Sequence, residues 1–217
     1  ADLALPLVKQ LPPEAAHTAT LKGLKLGVGL PNISPASWNI PVRLPVSDLH
    51  LANPVGLAAG FDKNAEVHGP MARFGFGFLE CGSVTPKPQP GNPKPRVFRL
   101  ADDQGVINRL GFNNHGLDYF VRRLRRAPPG PNCPVGANVG ANKTSTDFIA
   151  DYEIGIATVY PVCNYITINV SSPNTPGLRG LQDKSALQEL LARCERAHIA
   201  AQSAYATDHG DHDDGAK

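Results

Sequence analysis

The sequence lacks several features that would each have assigned it to a class of protein. Its cysteines show no C-x-x-C spacing, which argues against a zinc site or a disulfide framework and favours reduced thiols; they are Cys81, Cys133, Cys163 and Cys194. No apolar run approaches the roughly 20 residues that cross a bilayer. No charged start with an apolar core indicates a signal peptide. We therefore expect any membrane contact to be peripheral.

A strong net charge is also absent. The 217 residues carry a formal net charge of +2, so nucleic acid is not an expected partner. The densest basic patch, residues 121–126, is interpreted as the solvated C-terminal end of a helix. The tail at 209–215 mixes histidine with aspartate, but an exposed acidic linker explains it better than a metal site. We expect no bound metal.

What the sequence does contain is an alternation of strand-like and helix-like segments. Apolar runs predict strands at 55–58, 78–84, 135–139 and 165–170, and helices begin near Ala65, Leu117, Asp147 and Lys184. This alternation predicts a parallel α/β sheet with right-handed crossovers and with both faces covered. Four such units make half of a (β/α)₈ barrel, which typically needs about 250 residues.

Two short helices precede this pattern. Apolar residues at helical spacing predict the first over 3–11, and Pro13 begins a second that Gly27 and Gly29 end. They are interpreted either as a helical hairpin packed on the domain or as an interfacial membrane patch with an apolar tunnel. A proline-rich connection at 31–45 leads to the first strand.

The most informative segment is 165–179, where a β-branched apolar strand ends in asparagines, serines and prolines. Ligands of α/β proteins bind at that end of a strand. Asn169 and Asn174 offer amide donors and acceptors to a planar polar ligand, and the hydroxyl of Ser172 could move a proton.

The other strands also end in residues that are suited to binding a ligand. After the first come the small residues Ala58, Ala59 and Gly60, which let a flat ring approach the backbone, and then Lys63. Ser83 lies at the end of the second strand. Its hydroxyl is interpreted either as a ligand contact or as a turn hydroxyl bonded to the local backbone. Asn138 lies inside the third apolar strand and needs a hydrogen-bond partner, either a ligand edge or a core group.

A long excursion at 86–114 follows the second strand. Two alternating runs joined by 102–105 predict a hairpin laid over the strand ends. Excursions longer than about 15 residues are usually lids or binding loops.

Five stretches in order, at 60–63, 82–88, 96–100, 107–114 and 169–179, closely resemble the dihydroorotate dehydrogenase family in its membrane-associated, quinone-using class 2. That class carries serine where the soluble class carries cysteine, and Ser172 stands at this position. The resemblance runs from residue 13 to the fourth helix. It implies a TIM barrel of which about the first four βα units are present. Residues 1–30 would form an N-terminal helical cap for membrane and quinone, and residues 31–217 the N-terminal half of an FMN-binding barrel.

The resemblance also implies an activity. It is the oxidation of (S)-dihydroorotate to orotate in pyrimidine (UMP) biosynthesis, with FMN as hydride acceptor and a quinone as final acceptor. The expected location is peripheral, on the cytoplasmic side of a bacterial cell membrane, with the mitochondrial inner membrane as the alternative.

Residue roles follow from the same resemblance. Ser172 would be the catalytic base, and Arg99 would face the quinone tunnel. The FMN contacts would be Ala58, Ala59, Gly60, Ser83, Asn138 and Asn169. The substrate contacts would be Lys63, Asn108, Arg109, Leu110, Gly111, Phe112, Asn169 and Asn174. Many relatives have an aromatic residue where this sequence has Leu110.

Two alternatives stay open. A soluble fumarate- or NAD-linked relative would fit the fold, but Ser172 and the N-terminal helices argue against it. A non-catalytic half barrel would fold poorly or pair with another chain. The later family features are a strand lysine for FMN, Thr/Asn substrate ligands and glycine-rich phosphate loops, and the sequence contains none of them. Lys217 follows a polar linker and is a poor substitute for the lysine.

Overall fold

The chain folds into helices that alternate with strands. The computed structural model describes residues 5–28, 40–45, 47, 49–130 and 133–210. In chain order the elements are α1 (Leu5–Gln10), α2 (Pro13–Lys25), β1 (Val42–Arg43), β2 (His50–Leu51), β3 (Gly56–Leu57), α3 (His68–Ala72), β4 (Phe78–Val84), β5 (Val97–Leu100), β6 (Gly105–Asn108), α4 (Gly116–Arg126), β7 (Val135–Val139), α5 (Phe148–Val159), β8 (Tyr165–Ile168) and α6 (Lys184–Gly210).

The central sheet has four parallel strands in the order β3-β4-β7-β8, which is also their order along the chain. The predicted parallel α/β sheet is thereby confirmed, and β4 and β7 have their predicted bounds. β8 ends at Ile168, earlier than the predicted residue 170, because its neighbour β7 ends at Val139. β3 ends at Leu57, and the chain returns to β4 at Gly60, whose N–H donates to Gly82 O at 2.8 Å.

The two faces of the sheet differ in character. One face is apolar and buried beneath the helices; it includes Leu79, Cys81, Val135, Ala137 and Val139. The opposite face carries Phe78, Glu80, Tyr165 and Thr167, all half-buried. Strand alternation thus gives this second face polar and aromatic side chains, and cover of both faces stays a prediction.

Two aromatic rings close the amino-terminal end of this second face. Phe78 and Tyr165 meet edge to face, with 6.4 Å between ring centroids. Their rings occupy the space where a Cβ on Gly56 or Gly136 would lie, so both positions require glycine. Glu80, Asn138 and Thr167 lie farther along the same face, toward the carboxyl ends of the strands.

The helices follow the strands as predicted, with one shift. α3 begins at His68 instead of near Ala65, because the Asp62 carboxylate accepts from the backbone N–H groups of Glu66 and Val67, both at 2.7 Å, and holds this segment as a loop. Asp147 caps α5 as expected, accepting from Ala150 N at 3.0 Å. α6 begins at Lys184 and extends past the predicted end near 206.

α2 packs against the rest of the chain. It begins at Pro13 and ends at Lys25, and Gly27 follows with φ 75°. Glu14 forms an ion pair with Arg96 at 2.8 Å, and His17 Nε2 lies 2.6 Å from Phe61 O. Residues 3, 4 and 29 of the two predicted helices, and the tail from residue 211 onward, lie outside the described residues. Within the described part of the chain, no helix is both long and apolar enough to pass through a bilayer.

Two antiparallel hairpins complete the fold. The predicted hairpin over the strand ends is confirmed as β5 paired with β6, with Val97 opposite Asn108. A second, small hairpin pairs β1 with β2. The sequence pattern predicted only a proline-rich connection at 31–45, most of which lies outside the described residues.

Candidate active site

Three polar side chains form a hydrogen-bonded cluster at the carboxyl ends of adjacent strands. The Ser83 hydroxyl donates to Asn138 Oδ1. Asn169 Nδ2 donates to Ser83 Oγ at 2.9 Å and to Asn138 Oδ1 at 3.1 Å. Asn138 is 5% exposed, so the partner that a buried asparagine requires is supplied by the protein itself. These neighbours come from β4, β7 and the end of β8, so the parallel sheet assembles the cluster.

The loop after β3 approaches the same edge of the sheet. Ala58 is exposed, whereas Ala59 and Gly60 are half-buried. Gly60 has φ 104° and open space where a Cβ would project, so a flat ligand has access to the backbone here. Lys63 Nζ donates to Gly60 O at 2.5 Å. Burial lowers the pKa of Lys63 below the ordinary value for lysine.

The loop after β8 buries the Ser172 hydroxyl. Ser172 is 8% exposed, and its Oγ accepts from the backbone N–H of Asn174 at 3.2 Å. The hydroxyl of Thr175 is also buried and has no hydrogen-bond partner within the described residues. The half-buried Asn174 completes this segment. Two hydroxyls thus lie in a short loop that shields them from bulk water.

The lid loop, residues 108–112, begins at the last residue of β6 and extends toward the end of β7. The Phe112 ring lies against Gly140, the residue that directly follows β7. Gly111 is buried, whereas Asn108 and Arg109 are exposed. The Arg109 guanidinium donates to Pro95 O at 2.9 and 3.2 Å, which holds it at the base of the hairpin.

A groove of 870 Å³ separates α2 from this lid. Its lining includes Lys63, Leu110 and Asn113, together with Glu14 and His17 of α2. Asn113 Oδ1 is buried without a partner in the described part of the chain. The Arg96 guanidinium holds the pKa of Glu14 below its usual range, and burial lowers the pKa of His17.

Arg99 lies apart from the strand ends. Its Nη1 donates to Lys9 O at 3.0 Å and to Leu11 O at 2.8 Å, which ties the end of α1 to β5. Phe98, Leu100, Val106 and Ile107 of the same hairpin are exposed large apolar side chains. Arg99 therefore joins the end of α1 to the β5–β6 hairpin.

Sequence reasoning missed the polar groups that anchor the lid. Asn142 Nδ2 donates to Lys87 O at 2.8 Å and to Gln89 Oε1 at 3.0 Å. Asn114 Nδ2 donates to Phe112 O at 2.8 Å, and Gln89 Nε2 donates to Gly111 O at 3.2 Å. Both asparagines are buried. Their signal was the placement of an amide in the residues just after an apolar strand or just before a helix.

The family model of dihydroorotate dehydrogenase matches residues 42–202. The chain belongs to the dihydroorotate dehydrogenase family. Two similar curated relatives are named "Dihydroorotate dehydrogenase (quinone)". The one from Rhodopseudomonas palustris (strain HaA2) is 53% identical over 88% of this chain and 51% of its own length. The one from Parvibaculum lavamentivorans is 53% identical over 88% of this chain and 54% of its own length.

Solved structures of the family have a similar fold. The dihydroorotate dehydrogenase of Eimeria tenella in complex with ferulenol is 40% identical with a TM-score of 0.77, covering 85% of this chain and 50% of that one. A ligand-free structure of the Eimeria enzyme gives the same TM-score and identity. The chain spans about half the length of the curated relatives it matches.

Within the span that matches the dihydroorotate dehydrogenase family, the structure brings some of the expected site residues together. Ser83, Asn138 and Asn169 contact one another. Lys63 and Leu110 share the groove. Arg99 and Arg109 are instead bonded to backbone carbonyls of α1 and of the hairpin.

Proposed function

We propose that the chain is the N-terminal half of a quinone-dependent dihydroorotate dehydrogenase barrel, with α1 and α2 as its helical cap. The observation that carries the proposal is the cluster of Ser83, Asn138 and Asn169 at the carboxyl ends of three adjacent strands, where barrel enzymes place their chemistry. The names of the relatives support oxidation of dihydroorotate in pyrimidine biosynthesis.

The residues present fit the edge of a flavin ring. The open space at Gly60 and the small side chains of Ala58 and Ala59 leave room for a planar group against the backbone. Ser83 and Asn138 supply hydrogen-bonding atoms beside it, with Asn169 behind them. When bound, FMN would accept the hydride from C6 of dihydroorotate.

Lys63 would bind the substrate carboxylate. Its ammonium group is partly buried, and a negative partner would restore what the charge loses in desolvation. Asn174 and the lid residues 108–112 would surround the pyrimidine ring, since neutral amides pair with its carbonyl groups without a competing charge.

Ser172 would be the base that removes the proton from C5. A serine hydroxyl is a weak base in water, so it needs a closed site and a second group that takes its own proton. The hydroxyl of Thr175, three residues farther along, is buried and has no hydrogen-bond partner among the described residues, which makes it the candidate for that second group. As the C5 proton reaches Ser172 Oγ, the original hydroxyl proton of Ser172 would have to pass, directly or through water, to bulk solvent.

The quinone would approach through the N-terminal helices. The β5–β6 hairpin carries exposed apolar side chains, and Arg99 links it to the end of α1. We expect a peripheral position on the cytoplasmic face of a bacterial membrane. A soluble fumarate- or NAD-linked enzyme is the less favoured function, because Ser172 occupies the position where that class has cysteine.

Anaerobic addition of dihydroorotate to the FMN-loaded chain tests the proposal. Flavin absorbance should bleach in the parent, and Ser172→Ala should retain FMN while reduction slows by about 10²-fold or more. Ser203→Ala is the matched control, because Ser203 is an exposed serine on α6 that bonds to Ile199 O.

Two results would contradict the proposal in different ways. Equal reduction rates in Ser172→Ala and the parent would remove Ser172 from proton transfer. A folded chain that binds no FMN would instead favour the non-catalytic half barrel.

A further inference from the structure

A carboxylate lies in the polar face of the sheet, beneath the candidate flavin site. Glu80 Oε1 accepts from Asn138 Nδ2 at 2.7 Å, and Glu80 Oε2 accepts from Thr167 Oγ1 at 2.8 Å. None of the ion pairs in the described part of the chain involves Glu80. Burying half of a charged group costs desolvation free energy, and hydrogen bonds from neutral donors offset part of that cost.

The charge of Glu80 determines which way the Asn138 amide faces. An ionised carboxylate only accepts hydrogen bonds, so Asn138 must direct its NH₂ group toward Glu80. Its carbonyl oxygen then faces the opposite way, where it accepts from Ser83 and Asn169. The reversed amide would bring two oxygens together and is excluded by repulsion.

This orientation determines the rest of the cluster. Both Nδ2 hydrogens of Asn169 are used, one toward Ser83 Oγ and one toward Asn138 Oδ1. Asn169 Oδ1 accepts from the backbone N–H and the hydroxyl of Ser171, at 3.1 and 3.0 Å. Among the hydrogen bonds of the described residues, two positions of the cluster are unused and could serve a ligand: the second N–H of Asn138 and one lone pair of Ser83 Oγ.

We propose that Glu80 is a positioning residue that orients the Asn138–Ser83–Asn169 cluster, so that Asn138 presents an N–H donor to the flavin edge. The proposal rests on the proposed function for its ligand. It does not rest on it for the orientation of the amides, which can be measured without any flavin.

The first test is Glu80→Gln, which keeps the shape and removes the charge. A glutamine can donate as well as accept, so both Asn138 orientations become accessible. In the flavin-free chain, the side-chain amide NMR signals of Asn138 and Asn169 should double or broaden. The Kd for FMN should rise about tenfold, as expected when a buried hydrogen bond is no longer assured. Glu189→Gln on the exposed surface of α6 is the matched control.

The second test exchanges donor and acceptor in the double variant Glu80→Gln/Asn138→Asp. The glutamine amide introduced at position 80 can then donate to the new carboxylate, which still accepts from Ser83 and Asn169, while the N–H toward the ligand is lost. Compared with Glu80→Gln, the side-chain amide signals of Asn169 should sharpen again in the double variant. FMN binding should stay weak.

The outcomes separate this proposal from the proposed function. Unchanged amide signals in Glu80→Gln would overturn the positioning role, as would a double variant that fails to recover them. If Glu80→Gln does not fold, the double variant decides alone: a folded chain with sharp Asn169 signals supports the role, and an unfolded one overturns it. A parent chain that binds no FMN would count against the proposed function, and the amide signals would still test Glu80.

Discussion

Lys63 illustrates how a single buried charge can lower the stability of a fold. Its ammonium group lies in the groove below the lid, and burial lowers its pKa. Of the nearby charges, Glu14 and Asp62 favour the charged form and Arg96 opposes it. Since desolvation is the largest of these effects, the folded protein holds this charge at a net cost. In the proposed function, a bound substrate carboxylate would offset that desolvation cost.

Lys63→Met should therefore stabilise the chain. Because the folded pKa is below the unfolded one, the cost of the charge is fully present below the folded pKa and decreases as pH rises toward 10.5. The gain in urea-unfolding free energy should be largest near neutral pH and shrink in alkali.

The matched control for this prediction is Lys184→Met, at an exposed position. It should show no comparable gain. A Lys63→Met chain that is less stable than the parent at pH 7 would contradict the argument.

At the scale of elements, the N-terminal helices and the β5–β6 hairpin form a connected pair. Arg99 bonds the end of α1 to β5, and the buried Arg96 bonds α2 to the hairpin through Glu14. Arg96 also donates to Pro90 O and Asn92 O, at 2.6 and 2.9 Å. Charged hydrogen bonds, which are stronger than neutral ones, therefore tie α1 and α2 to the β5–β6 hairpin.

Arg99→Gln should release α1 while leaving the sheet intact. A glutamine is shorter and cannot reach both carbonyls, so amide hydrogen exchange in α1 should accelerate roughly tenfold. In the FMN-loaded chain, reoxidation by a quinone should slow while reduction by dihydroorotate does not change.

Arg122→Gln on the exposed side of α4 serves as the control. A loss of flavin reduction in Arg99→Gln as large as the loss of quinone turnover would remove Arg99 from the quinone path.

At the scale of the whole molecule, β3 and β8 form the two edges of the central sheet within the described residues, and the face that carries Glu80 is half-buried. β3 and β8 each pair with a single neighbour in the central sheet. The four cysteines are distributed over it: Cys81 on β4, Cys133 and Cys163 just before β7 and β8, and Cys194 on α6. Burial raises the pKa of Cys133 and Cys194 to about 11 and that of Cys163 to about 12. The reactivity of the four thiols therefore measures how tightly the sheet and helices are packed.

The four thiols should react slowly with an aromatic disulfide reagent at pH 8 and rapidly in urea. The thiolate is the nucleophile, and a raised pKa removes it from the folded state. Because their pKa values are raised in the folded state, these thiols contribute to the free energy of unfolding below pH 9. That contribution is lost as pH rises through about 11 to 12. Rapid native reaction of the thiols near β8 would show that this edge separates from the sheet.

The sequence by itself determined the order and type of the main elements. Apolar runs delimited β4 and β7, the Asp147 cap placed α5, and turn residues placed the β5–β6 hairpin, because each depends on local periodicity and local hydrogen bonding. It also indicated the strand-end residues, including Ser172 and Asn169. Their roles came from family resemblance, since single residue types have no unique chemistry.

Only the tertiary structure decided which polar groups meet. Glu80 lies within an apolar run and gave no sign of its role, because its partners Asn138 and Thr167 are 58 and 87 residues away. The late start of α3 depends likewise on the Asp62 carboxylate capturing two backbone N–H groups. Local sequence patterns determine which segments become strands and helices. The register between parallel strands determines which side chains face one another, and that depends on contacts distant in the chain.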